Sequence, residues 1–175
     1  MSDTRSPTSD PRGHMHRATR LMGDDDARAF LRAQKVAHVG TVDEAGWPYV
    51  IPLIYIYEGD DRLYLHTGDH HRTLRPECSA RSASLASRSA RWVQYTEGDR
   101  SHANSALVFT SVIVFGPVRI LGDRDRKSWF FDRVLEKYGD PEWTFQPGYP
   151  LLDRIILYEQ QMEIVTGKHS EGLRH

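Results

Sequence analysis

The chain has 175 residues, enough for one domain with a substantial core and short for two ordinary ones. Lys and Arg number 23 against 24 Asp and Glu, so the formal net charge of -1 argues against a global field for nucleic acid or an anionic membrane surface. The single cysteine, Cys78, excludes an intramolecular disulfide framework and fits a reducing, cytoplasmic setting, and no run approaches the roughly 18 apolar residues of a membrane span.

Residues 1–13 are polar and Pro/Ser-rich, without a signal-peptide core, and are expected to form a disordered tail ahead of a domain spanning 14–168. "DDDARAFLRAQK" predicts an amphipathic helix of about three turns, with carboxylates at its N-terminus and Arg28 and Arg32 facing outward. "VAHVGTVDEAGWPYVIPLIYIYEGDDRLYLHT" is rich in β-branched and aromatic residues, and the turn signals "DEAG" and "EGDD" cut it into three strands of a meander. "CSARSASLASRSAR", Cys78 to Arg91, has one large apolar residue, Leu85. It reads as an exposed loop or polar helix where the meander calls for another strand. A shifted reading frame would also leave such Ser/Ala/Arg monotony, and resequencing the DNA decides that point.

"ALVFTSVIVFGPVRIL", Ala106 to Leu121, predicts a long strand bent at Gly116-Pro117, because proline cannot donate to a central ladder. "GDRDRKSWFFDRVLEKYGD" predicts a second helix, with Asp123 as N-cap and Gly139 where a left-handed C-terminal residue is wanted. After the aromatic loop "DPEWTFQPGYP", "RIILYEQQMEIVTG" alternates as the last strand, and 169–175 form a short tail. The expected fold is mainly β (α+β): a six-stranded antiparallel split β-barrel with two or three flanking helices.

"YLHTGDHHR", Tyr64 to Arg72, carries the densest chemistry, and three uses compete for it: metal site, catalytic base or anion cradle. Adjacent His70 and His71 point apart on an extended segment, and no carboxylate or thiolate stands at a convincing spacing, so no native metal site is expected. Thr67, Gly68 and Arg72 supply the hydroxyl, backbone and positive charge that a phosphate needs. The plainer alternative is a polar turn with a surface arginine. His66 is either a proton-handling group or a strand-end histidine satisfied by backbone hydrogen bonds.

The order of these elements, and above all "G-x-P-Y-V-I-P-L" and "L-Y-x-H-T", resembles the flavin-binding split barrels related to pyridoxamine 5'-phosphate oxidase, within them the nitroimidazole-resistance-like branch. The likeness covers roughly Met15 to Lys168, with Arg75 to Arg91 outside it. It implies a homodimer binding FMN at the subunit interface. It further implies that Thr67 and Arg72 grip the FMN phosphate, that backbone groups of Val50, Ile51, Pro52 and Leu53 run beside the isoalloxazine ring, and that Ser111 reaches the flavin. His66 would lie near flavin and substrate as the catalytic residue. Thr73 stands where many relatives carry a second basic residue. The aromatics Trp143, Phe145 and Tyr149 either cap a planar ligand or anchor their loop.

Two functions are consistent with this reading. One is an FMN-dependent oxidoreductase acting on a small planar electron-poor substrate, a nitroaromatic among the candidates. The other is a non-catalytic flavin or haem binder or sensor of the same fold, with deazaflavin a further alternative cofactor. No G-x-G-x-x-G fingerprint follows a strand to mark a resident nicotinamide cofactor.

Overall fold

The computed structural model describes residues 17–42, 45–69, 82–92 and 107–170. In chain order the elements are α1 (Asp24–Ala33), β1 (Val36–Val42), β2 (Pro48–Ile56), β3 (Arg62–Gly68), β4 (Ser82–Trp92), β5 (Leu107–Gly116), β6 (Val118–Leu121), α2 (Arg124–Tyr138), β7 (Ile155–Gln161) and β8 (Ile164–Ser170). All pairings are antiparallel, in the order β6-β7-β3-β2-β1-β4-β5-β8.

Eight strands reduce to six runs, because β5 continues into β6 and β7 into β8. β5 pairs with β8 and β6 with β7, so two long bent strands run side by side. Counting each bent run once, every one of the six has a hydrogen-bonded neighbour on both sides, which is the pairing scheme of a split barrel. The bend falls at Gly116-Pro117, as the proline predicts. Its ladder survives because Gln161 N donates to Pro117 O at 2.9 Å and Glu163 N to Phe115 O at 2.9 Å. Only glycine fits at 116, since an added Cβ would lie 1.7 Å from the Gln161 carbonyl oxygen.

The polar segment before residue 92 corrects the expectation of a loop or polar helix. Residues 82–92 form β4, paired with β1 through His38↔Leu85 and with β5 along nearly its whole length. Backbone groups of β1 and β5 would otherwise face each other unpaired, and a ladder satisfies them whatever the side chains. Propensity yields here to tertiary context.

Alternation sorts the strands by face. Ala37, Val39, Leu63, Leu65, Val112, Val114 and Tyr158 turn into the barrel with Tyr55, and α1 closes over them with Ala27 and Leu31. The Tyr55 hydroxyl donates to the Leu31 carbonyl at 2.6 Å, so this large ring is buried without losing its polar partner. Arg28 does not simply face outward. It joins Asp24 (2.9 Å), Asp61 (2.7 Å) and Tyr57 Oη (3.0 Å), tying α1 to the β2–β3 turn, where Gly59 adopts φ +98°.

A second cluster lies outside the barrel, where α2 packs Phe130 against Ile56, Tyr64 and Leu157. Asp123 Oδ1 accepts from Arg126 N at 2.8 Å, the expected N-cap. Gly139 departs from expectation: its φ is -82°, not left-handed. Glycine is needed there for space, since a Cβ would lie 2.8 Å from the Leu135 carbonyl oxygen. No helix among the described residues is long and apolar enough to cross a membrane.

Candidate functional site

β2 and β3 pair only at Tyr55↔Leu65 and Ile56↔Tyr64. Continued, that register would set Leu53 opposite Thr67 and Pro52 opposite Gly68, but the ladder stops. Beyond it Pro48–Ile54 stay paired with β1 on one side, and His66–Gly68 with β7 on the other. Two strand edges therefore diverge, each with backbone polar groups that find no ladder partner among the described residues. Such edges are templates for any ligand with donors and acceptors along one rim. Pro52 contributes no N–H, which weakens re-pairing across the gap. At Gly68 an added Cβ meets nothing within 4 Å among the described residues, which leaves space on the β3 lip.

The residues singled out in the sequence divide along these lips. On β2, Val50 and Pro52 face outward, Val50 with 62% exposure, while Ile51 and Leu53 turn inward against the core. On β3, Thr67 faces the interior, where its hydroxyl lies 3.1 Å from Tyr158 Oη. What Thr67 offers to the open edge is its backbone. His66 faces the other way, onto α2, with its ring packed against both Phe130 and Phe131 at centroid distances of 5.3 and 5.2 Å. His66 Nδ1 is buried and has no hydrogen-bond partner among the described residues, so backbone hydrogen bonds do not satisfy it. Burial lowers the His66 pKa, keeping the ring a neutral imidazole with one N–H and one lone pair at neutral pH.

Two residues that the sequence did not mark as functional close the end of the β1–β2 ladder, on the edge of β2 away from β3. Tyr138 Oη accepts from Tyr55 N at 3.1 Å and lies 2.7 Å from the carbonyl oxygens of both Lys35 and Tyr55, its one proton serving one carbonyl at a time. Lys137 Nζ donates to Tyr55 O at 3.2 Å and sits 4.1 Å from the centre of the Tyr55 ring. Burial, with a smaller push from Lys35, brings the Lys137 pKa down to about 8. No sequence signal distinguishes this lysine from any other in the last turn of a helix.

Ser111 is not brought to the gap within one chain. It lies on the outer side of β5, opposite Lys168 of β8, and three strand spacings separate β5 from β2, on the order of 14 Å along the sheet. Arg72, Thr73, His70 and His71 lie outside the described residues. In the aromatic loop, Phe145 packs on Phe131 (5.4 Å) and on Tyr149 (5.7 Å), whose hydroxyl bonds Asp132. Phe145 and Tyr149 thus anchor the loop to α2, while Trp143 is 60% exposed. A separate hollow of about 490 Å³ lies beside Met22, Asp26 and Phe30 at the start of α1, lined also by Thr110 and His169.

Comparison with solved structures places this geometry among known folds. A candidate 5-nitroimidazole antibiotic resistance protein from Bacteroides thetaiotaomicron is similar at TM-score 0.67 and 21% identity, over 89% of this chain and 95% of that one. A flavocytochrome from Azotobacter vinelandii matches at TM-score 0.78 and 22% identity, over 95% and 78%. A FAD-binding protein from Mesorhizobium loti matches at TM-score 0.60 and 20% identity, over 87% and 98%. At these identities the likeness is one of fold. No curated protein sequence matches. The family model described as pyridoxamine 5'-phosphate oxidase matches residues 23–169, and the chain belongs to that family.

Proposed function

We propose that the protein is an FMN-dependent oxidoreductase whose ring site is the gap between β2 and β3. The observation that carries this reading is the pair of unladdered strand edges, Pro48–Ile54 and His66–Gly68. The pyrimidine rim of a flavin alternates acceptors and donors, the chemistry those edges lack. The orphaned Nδ1 of His66 and the open space at Gly68 fit the same group. When bound, the flavin supplies the electron or hydride transfer. The chain's residues orient it: backbone groups of Val50 to Leu53 on one lip, backbone of Thr67 and Gly68 on the other. Arg72, four residues past Gly68, supplies the charge for the phosphate. His66, neutral and packed by two phenylalanines, holds a proton or a hydrogen bond beside the substrate. The substrate class is a small planar electron-poor molecule, with nitroaromatics the first to test.

The working unit in this proposal is a homodimer. Val36, Val42 and Val50 stand on the outer side of the β1–β2 hairpin with 42%, 46% and 62% exposure, and Trp47 at its turn with 72%. Ser111 also lies on the outer side of the barrel, three strands from β2, so in this proposal it would reach a flavin held by the second copy.

A second reading, non-catalytic binding of flavin or haem, draws on the neighbours: one is a flavocytochrome, and another, from Mycobacterium smegmatis, is described as a FAD and haem binding protein. Visible absorbance during FMN titration of wild-type protein and Arg72→Ala separates the outcomes. Peaks that shift on binding, with affinity lowered in the variant, support the oxidoreductase reading, and turnover with nitroaromatic or quinone acceptors then distinguishes catalysis from storage. Folded wild-type protein that binds no FMN overturns it.

A further inference from the structure

On the outer side of the barrel, at the end of β3 remote from the gap, three guanidinium groups gather around Tyr64 and Glu159. Glu159 of β7 stands opposite Tyr64 of β3 on one side and Arg119 of β6 on the other. Its side chain is only 4% exposed, a rare place for a carboxylate, and Oε1 accepts from Arg119 Nε at 2.7 Å with Arg62 Nε at 3.9 Å. Oε2 is buried with no hydrogen-bond partner among the described residues. Arg62 also lies beside Tyr64, and Arg126 of α2 sits over the Tyr64 ring at 5.7 Å and over the Trp129 ring at 4.9 Å.

These contacts position the arginines without using up their donors. Glu159 meets Arg119 through Nε alone and Arg62 at a distance too long for a hydrogen bond, so the terminal nitrogens of Arg119 engage no acceptor among the described residues. Arg126 stacks on two rings and forms no ion pair among the described residues. All three reach solvent: the side chains of Arg62 and Arg119 are 43% and 64% exposed, and Arg126 is exposed. One buried carboxylate among three guanidiniums leaves an excess of positive charge. Asp60, exposed at the turn before β3, accepts from the Arg62 backbone N–H, and water screens its charge. A long arginine ordinarily loses rotamer freedom when it grips a ligand, and part of that cost is already met here by the carboxylate and the rings.

We propose that Arg62, Arg119 and Arg126 form a binding site for a phosphate group, separate from the gap between β2 and β3. Arg62 begins β3 and Gly68 ends it, which sets the two places roughly 20 Å apart along the strand. Planar guanidinium forks match pairs of phosphate oxygens, and three forks around one patch favour a doubly charged anion over a carboxylate. Two sources share this chemistry, a soluble phosphate ester and a phospholipid headgroup.

The test is calorimetric titration with pyrophosphate at constant ionic strength, on wild-type protein, Arg119→Gln, Arg119→Lys, Arg126→Gln and Arg32→Gln. Wild type should bind saturably, and Arg119→Gln or Arg126→Gln should weaken the affinity at least about tenfold, the size of a lost hydrogen bond between charged partners. Arg119→Lys should recover part of that loss, since it restores the charge without the fork. Arg32→Gln removes an equal charge from α1 and should bind as wild type does. Arg126 has no ion pair to break, so its variant covers the case in which Arg119→Gln strands Glu159 and fails to fold. Co-sedimentation with phosphatidylcholine vesicles, with and without phosphatidic acid, separates the sources. Pelleting that needs phosphatidic acid and Arg126 supports the site with a headgroup as its ligand, and pyrophosphate binding without pelleting supports it with a soluble ester. Absence of both, or a folded Arg126→Gln protein that binds pyrophosphate as wild type does, overturns the proposal.

Discussion

The barrel has two outer sides that start from similar material and end differently. On the β3–β7 side, Tyr64, Leu157 and neighbouring Ile56 are at most 3% exposed because α2 lies over them. On the β1–β2 side, Val36, Val42 and Val50 face outward without a helix and stay 42–62% exposed. Both strand pairs alternate apolar residues onto the outside, so alternation alone does not tell which side is covered. The chain covers one side with its own helix and leaves the other exposed, and the gap between β2 and β3 opens where the two meet. Apolar burial on the first side is a matter of folding, whereas on the second, in the proposed homodimer, it is a matter of association.

Substitutions on each side should separate these roles. Phe130→Ala, on the helix that covers the first side, should cost about 3–5 kcal/mol in denaturant unfolding, because a fully buried ring leaves a cavity between α2 and the sheet. Gly116→Ala should cost on the order of 1–3 kcal/mol, since its Cβ collides with the Gln161 backbone at the bend that joins the two halves. Val50→Asp should change unfolding free energy by no more than about 0.5 kcal/mol. In sedimentation it should nonetheless convert a dimer to a monomer. A Val50→Asp protein that stays dimeric would place the partner surface elsewhere.

A pH experiment addresses the covered side more gently. His66 has its folded pKa depressed by burial, so the unfolded chain binds the proton more readily. The stability this contributes is complete above the ordinary imidazole value of 6.5 and is lost as pH falls through the lower folded value. Thermal melts should therefore drop as pH falls below 6.5, and His66→Phe should flatten part of that slope. An unchanged slope would mean that His66 charges freely in the folded state.

Most of the fold was legible in the sequence because its signals are local. The "DEAG" and "EGDD" turns bound β2, Gly116-Pro117 marks the bend, and Asp123 caps α2 where its side chain predicts. β4 was not legible, because its Ser/Ala/Arg sequence carries little strand signal, while its backbone pairs with β1 and β5 on both sides. The site divides in the same way. The motif strand brought His66 and Thr67 into view, but only the pairing register reveals that Thr67 turns inward to Tyr158 while His66 meets α2. Lys137 and Tyr138 tie α2 to Tyr55 and Lys35 through contacts 82 to 103 residues away in the chain, which no local pattern encodes.

The central claim is that the gap between β2 and β3 holds the flavin, and Gly68→Leu tests it most directly. The substitution places a side chain into open space on the β3 lip at an ordinary backbone angle, so the fold should be preserved. FMN titration by visible absorbance should then show affinity reduced at least about tenfold, the ~1.4 kcal/mol that each factor of ten represents. A folded Gly68→Leu protein that binds FMN as tightly as wild type would contradict the account and move the ring to another surface.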